Sequence, residues 1–422
     1  MDISKNTKKI LNKIDKISFN KNYNDNLYQI DFLHKKSNNI IKYILNNINI
    51  GNIEYNKIKK TNINNITLYI LKNTDINNII NKELRQFIVN IKNNTILDDE
   101  IVEFVNKNND IIADFTKNQI NKNKSKEIKY IIEQYSDLII SKFIPISVQT
   151  NILKFKNYIN FNVKIDTNIL YFKIYYENNI DNKDLSIIIL KALFTIYIYN
   201  KTNVTINIMI FLTKNEKKFP YKYQFLGSNE INSGLTSFEQ INKICIYRQE
   251  ELGKVIIHEM IHALGIDSQI FLDSKNKYIE NSIKNFLNLS HLDKINLNES
   301  FTEASTIIIN SLFNSLLCNE NIYKILNNEI KFSIIQCSNI VNFYKIKSNW
   351  SEKTSVLSYY LLKLANIYNI DKFISKFMFN DNIDIFQYYK NLIHNIKLIN
   401  YFNYNINLDK TLKMGLYEIK FI

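Results

Sequence analysis

His258, Glu259 and His262 are the residues of this chain whose types and spacing could do chemistry together. They stand as His258-Glu259-Met260-Ile261-His262, an H-E-x-x-H pattern. Residues four apart on a helix share a face, so both imidazoles can offer a ring nitrogen to one zinc ion. Glu259, beside the first of them, can take a proton from a water that the ion activates. Zinc lowers the pKa of such a water to about 7, which supplies a nucleophile at neutral pH. The chain has only 5 histidines: His34, His258, His262, His291 and His394. By composition the pattern arises by chance with odds of roughly three in a thousand. The bland alternative is a core helix with two buried histidines and a buried glutamate, which without a metal carries a heavy desolvation cost.

The flanks suit an element that must hold such a group still. Val255, Ile256, Ile257, Met260, Ile261, Ala263 and Leu264 make the segment apolar nearly all round, as in a central helix. Glu250 and Glu251 lie near its start, where negative charge suits a helix N-terminus, and Gly265 follows at its end. Upstream, Ile169 to Tyr176 is rich in β-formers and reads as a strand. Leu185 to Tyr199 reads as a buried helix, Val204 to Phe211 as a strand, and Ile244 to Tyr247 as another short strand. Gly227 to Gly234 has turn chemistry. Residues 1 to about 145 show three- and four-residue apolar spacing and read as mostly helical, with a helix expected from Lys126 to Phe143, before Pro145. Beyond Asn298 the chain reads as helical almost to its end. The expected class is α+β: a helical N-terminal region (1–148), a small mixed sheet with the H-E-x-x-H helix (149–268), and a helical C-terminal subdomain (269–422).

Composition narrows the function classes. The chain has 422 residues and a net charge of +14, skewed to Ile, Asn, Lys and Tyr, with Arg85 and Arg248 as the two arginines. The skew reads as AT-rich coding. The lysines are dispersed, and Lys122 to Lys129 is the nearest approach to a basic block, so nucleic-acid binding is not expected. Cys245, Cys318 and Cys337 form no C-x-x-C pair and fit a reducing, cytoplasmic setting. Met1 to Asn6 has no signal-peptide core, and no segment reaches the ~20 apolar residues of a membrane span.

The order strand, helix, strand, edge segment, strand, H-E-x-x-H helix, helical half resembles the zincin metallopeptidases over roughly residues 165 to 320. In their gluzincin branch a downstream glutamate completes the zinc site. The resemblance points to Glu303, in Phe301-Thr302-Glu303, as that third ligand, with zinc as the cofactor. Ser300-x-x-Glu303 also reads as a capping box, and Glu299, one turn earlier on the same face, competes for the role. In the metzincin branch Gly265 is matched, but Ser268 stands where the third histidine belongs; His291 is then the alternative. Asp267 and Asp273 are better candidates for orienting a ligand histidine. The resemblance also suggests Tyr359 or Tyr360 as the donor to the reacting carbonyl, and Asn232 to Thr236 as a sheet edge pairing with an extended polypeptide substrate. Asn232-Ser233-Gly234, Ile246 to Glu251 and Phe301-Thr302-Glu303 resemble uncharacterised metallopeptidases of large DNA viruses, of the giant-virus and insect-poxvirus kind, which implies host cytoplasm or the virion as the setting. The function expected is zinc-dependent peptide-bond hydrolysis with Glu259 as general base. The alternatives are a catalytically inactive structural zinc protein or virion scaffold and, further off, a basic nucleic-acid-binding protein.

Overall fold

The structure is a computed structural model. It describes residues 2–3, 5–14, 27–57, 144, 145, 148, 151, 152, 155, 157–177, 180, 182–220, 225–270, 275–292, 294–345, 350–378, 388, 392, 411–417, 419 and 420. The expected helix from Lys126 to Phe143 and the candidate Asp273 lie outside these.

Strands β1 (Asp2–Ile3), β2 (Asn49–Ile50), β3 (Glu54–Lys57), β4 (Asn157–Ile165), β5 (Asn168–Tyr176), β6 (Thr205–Phe211), β7 (Gly234–Ser237), β8 (Asn242–Ile246) and β9 (Ile419–Lys420) follow in chain order. Helices are α1 (Lys5–Ile14), α2 (Leu27–Asn47), α3 (Asn182–Ile198), α4 (Leu252–Ala263), α5 (Ile266–Ile270), α6 (Lys275–Phe286), α7 (Leu297–Cys318), α8 (Ile322–Lys345), α9 (Lys363–Tyr368) and α10 (Ile370–Met378). A π-helical turn, Ser358–Leu362, runs directly into α9. The class is mixed α and β, as expected.

Seven strands form one mixed sheet in the order β2-β4-β5-β6-β8-β7, with β3 also paired to β4. β4 and β5 are an antiparallel pair, full length in register from Asn157↔Tyr176 to Ile165↔Asn168. β5, β6 and β8 run parallel, and α3 makes the crossover that a parallel β5–β6 pair requires. β7 turns back antiparallel on β8 and ends the sheet. In β4, Ile159, Phe161, Val163 and Ile165 are buried at every second residue, so one face meets the helices. That face shares a single apolar core with α3, α4 and α7. α4 packs on both α3 and α7, and therefore stands between the sheet and the helical half.

The N-terminal part is less purely helical than the sequence suggests. α1 and α2 form as expected, but residues 49–57 then supply β2 and β3 to the main sheet, and α2 packs on α3. His34 packs, its Nε2 lying 3.0 Å from Ser315 Oγ. Among the described residues no helix is long and apolar enough to cross a membrane.

Residues 411–417 form a strap through the base of α4. Glu251, just before the helix, has left-handed backbone (φ 58°, ψ 15°). That conformation costs about 1–2 kcal/mol for a residue with a Cβ. It aims Glu251 Oε1 at the backbone N–H groups of Met414 and Gly415, each donating at 2.8 Å, while Oε2 pairs with Lys217 Nζ at 3.0 Å. The next two strap amides, Leu416 and Tyr417, donate to Glu329 on α8 at 3.0 and 3.1 Å. Two buried carboxylates thus hold four consecutive N–H groups, which answers the need of both strap and acids for buried partners.

Candidate metal centre

On α4 the spacing of His258 and His262 sets their rings on one face, with centroids 4.8 Å apart. Each ring is held from behind at Nδ1. Glu303 Oε2 lies 2.9 Å from His258 Nδ1, and Asp267 Oδ2 lies 2.9 Å from His262 Nδ1. A carboxylate is acceptor only, so each Nδ1 carries the proton and each Nε2 is left with its lone pair. Those two Nε2 atoms face one another at 3.1 Å. Glu299 Oε2 completes a triangle, 3.3 Å from His258 Nε2 and 3.4 Å from His262 Nε2. Ligand atoms at zinc's ~2.0–2.1 Å on a tetrahedron stand ~3.3–3.4 Å apart. The three atoms fit that size and could hold a metal ion.

The third corner differs from the expectation. Glu299, not Glu303, reaches the two Nε2 atoms. Glu303 stands one turn further along α7, fully buried, with Oε1 at 2.5 Å from Lys254 Nζ. Its role here is to fix His258, and the same pairing with Lys254 and His258 takes it out of the capping box. Asp267, expected as an orienting group, is one. His291 makes a different contact, its Nε2 lying 2.5 Å from the Trp350 carbonyl, and is not in the cluster.

The electrostatics ask for a cation. Glu259, Glu299, Glu303 and Asp267 surround the two rings, with Lys254 as the close positive charge. Glu299 Oε2 is buried and, among the described residues, has no hydrogen-bond donor. Burial alone would pull both histidines down, but it is outweighed: Glu299 and Glu303 raise His258, and Glu299 and Asp267 hold His262 well above the usual range. Burial opposes ionisation of Glu299, yet the two histidines keep it below the usual carboxylate range.

Glu259 is held at the sheet edge, close enough to both histidines to feel their charge. Thr236 on β7 donates its hydroxyl to Glu259 Oε2 at 2.8 Å, and a Cβ at Gly234 would lie 2.7 Å from Oε1. Burial lifts Glu259 above the usual carboxylate range, against the pull of both histidines and Thr236. The segment leading into β7 is pinned by Arg248, whose Nε donates to the Asn232 carbonyl at 2.8 Å and Nη1 to the Glu216 carbonyl at 2.9 Å.

The tyrosine pair divides. Tyr359 brings its ring to 6.1 Å from that of His258, and burial together with the nearby charge of Glu299 holds its hydroxyl well above the usual phenol range. Tyr360 does not reach the cluster: it is fully buried, and its hydroxyl donates to the Leu412 carbonyl at 2.6 Å. Both sit in the π-helical turn, a local widening often found at functional sites. Lys254 and Arg248 have no site role in the sequence reading, and Thr236 has one only as part of the substrate-pairing edge; of the first two, only the place of Lys254, one turn before His258, is legible there.

No protein-family model matches the chain, and no solved structure matches it. Over 146 residues it is 32% identical to an uncharacterized protein of Acanthamoeba polyphaga mimivirus. The chain is similar to a giant-virus protein. The matched stretch is 34% of this chain and 32% of that relative, so the likeness spans about a third of each. It supports the viral relationship and brings no activity with it.

Proposed function

We propose that this chain is a zinc-dependent endopeptidase acting on polypeptides held in extended form, in the infected-cell cytoplasm or the virion. The observation that carries the reading is the triangle of His258 Nε2, His262 Nε2 and Glu299 Oε2, with Glu259 next in sequence to the first corner. His258, His262 and Glu299 would hold the ion; Glu303 and Asp267 orient the rings. Zinc, when bound, supplies a Lewis acid that activates water and polarises the scissile carbonyl.

The chain's own groups do the rest. Glu259 accepts the proton of the attacking water and passes it to the leaving amine, a task suited to a carboxylate lifted toward neutrality by burial. Thr236 and Gly234 fix the plane of that carboxylate. Tyr359 donates to the carbonyl oxygen as negative charge gathers there. β7 ends the sheet beside α4, and a substrate strand can add to it through main-chain hydrogen bonds. Glu259 and the half-buried Tyr359 favour an enzyme over a purely structural site, which has no use for a base and a donor at its open side.

The test is zinc content and cleavage of an unfolded polypeptide by the purified protein, beside Glu259→Gln. The expected result is about one zinc per chain in both, with cleavage by the wild type alone. Absence of zinc from wild-type protein after metal is added back, or equal cleavage by Glu259→Gln, would overturn the reading.

A further inference from the structure

A lysine inside the core, one turn before a candidate metal ligand, calls for a reason. Lys254 is 5% exposed, and burying an ammonium is costly unless it is paired. Its Nζ meets Glu303 Oε1 at 2.5 Å, and Glu303 itself is 0% exposed. The other oxygen of that carboxylate takes His258 Nδ1 at 2.9 Å. With Oε1 held, the carboxylate cannot swing about its last bond, and Oε2 stays in line with the imidazole.

Lys254 is held in turn. Its stem runs beside Gly415 of the strap, where a Cβ would come within 3.1 Å of Lys254 Cδ and 3.4 Å of Ile307 Cδ1. Glu251 and Glu329, both buried, add attraction from the base of α4 and from α8, while Lys217 and Lys363 stand among the same charges. The lysine is therefore built in from α4, α7, α8 and the strap together.

We propose that Lys254 is a positioning residue for the metal centre: it fixes Glu303, and through Glu303 the ring of His258, so that Nε2 faces the other two corners. The inference rests on the metal reading above and adds a residue that touches no ligand atom. Orienting partners behind a ligand histidine typically carry about 10–100-fold in metal affinity, and this effect reaches the histidine through one further residue.

The experiment is a zinc competition titration, with the visible absorption of the cobalt-substituted protein as a second readout. Wild type, Lys254→Met, Glu303→Gln, the double variant and Lys254→Arg are compared, folding being checked by circular dichroism. The expected result is a loss of about 10–100-fold in each single variant, no further loss in the double, an altered cobalt spectrum, and partial recovery in Lys254→Arg. Wild-type affinity and spectrum in Lys254→Met, or losses that simply multiply in the double variant, would overturn the role. Should Lys254→Met fail to fold, Gly415→Ala displaces the lysine stem while keeping its charge; an unchanged cobalt spectrum in that variant would equally overturn it. A wild-type protein that binds neither zinc nor cobalt would instead remove the metal reading itself, and His262→Ala is the control that separates the two.

Discussion

Glu299 and Glu303 stand one helical turn apart on α7 and grip the same imidazole from its two sides. Glu299 meets His258 at Nε2, 3.3 Å away, and Glu303 meets it at Nδ1, 2.9 Å away. One carboxylate faces the place for an ion and the other faces the core, where Lys254 neutralises it. A single helix thus supplies both a corner of the site and the brace behind another corner.

The two glutamates should separate on substitution. Glu299→Ala removes a corner and is expected to abolish stoichiometric zinc binding. Glu303→Gln keeps the shape but weakens the brace, with affinity falling about 10–100-fold. Metal content after dialysis against a weak chelator measures both. Equal loss in the two would mean that Glu303 coordinates directly.

Tyr359 and Tyr360 make a second pair of opposites. Tyr359→Phe is expected to lower turnover about 100-fold with zinc content unchanged, if its hydroxyl serves the developing oxyanion. Tyr360→Phe leaves turnover intact and costs about 1 kcal/mol of stability, because the Leu412 carbonyl loses a buried donor. Rates on a peptide substrate beside thermal melts decide between them.

Gly234 carries a steric prediction. A methyl group there would sit 2.7 Å from Glu259 Oε1, against a carboxylate that Thr236 already fixes from the other oxygen. Gly234→Ala is expected to depress cleavage severely while zinc stays bound, since the atoms nearest that methyl all belong to Glu259 and not to His258, His262 or Glu299. Full activity in that variant would show that Glu259 has room to move and that the edge does not position it.

Glu329 gives the apo-protein a pH signature. Burial raises it to about 7, against the pull of the Leu416 and Tyr417 amides. In the unfolded chain the group titrates near its ordinary 4.5. Between these values the folded state holds a proton that the unfolded state has lost. Stability from this group is therefore complete below about pH 4.5 and declines as pH rises toward 7. Denaturant melts at several pH values should show the decline, and Glu329→Gln should flatten it.

Much of the centre could be read from the letters. His258, Glu259 and His262 needed only their spacing, and α4 only its unbroken apolar run. Asp267 was legible as an orienting acid because it follows His262 closely on a short turn. The choice between Glu299 and Glu303 was not legible, because both lie on one helical face and only the depth of α7 against α4 decides which reaches the rings. Tyr359 and Tyr360 were inseparable for a related reason: a π-helical turn shifts the facing of side chains in a way that no residue in Ser358–Leu362 announces. β4 alternates cleanly through Ile159, Phe161, Val163 and Ile165, but the asparagines at Asn160 and Asn162 between them weaken its strand signal in the sequence. β2 and β3 are too short for periodicity and form only because β4 offers them an edge.

The strap sets the order in which the molecule can be finished. Glu251 meets Met414 across 163 residues of chain. At the ~5–20 residues per second of ribosomal synthesis, that separation is roughly ten to thirty seconds. During that interval the base of α4 has no Met414 or Gly415 amide to hold Glu251 in its left-handed turn, and Lys254 lacks the wall that Gly415 provides. The H-E-x-x-H segment is thus made long before its supports are. A nascent chain passes through synthesis with an unfinished centre until the strap residues Met414 and Gly415 have been made.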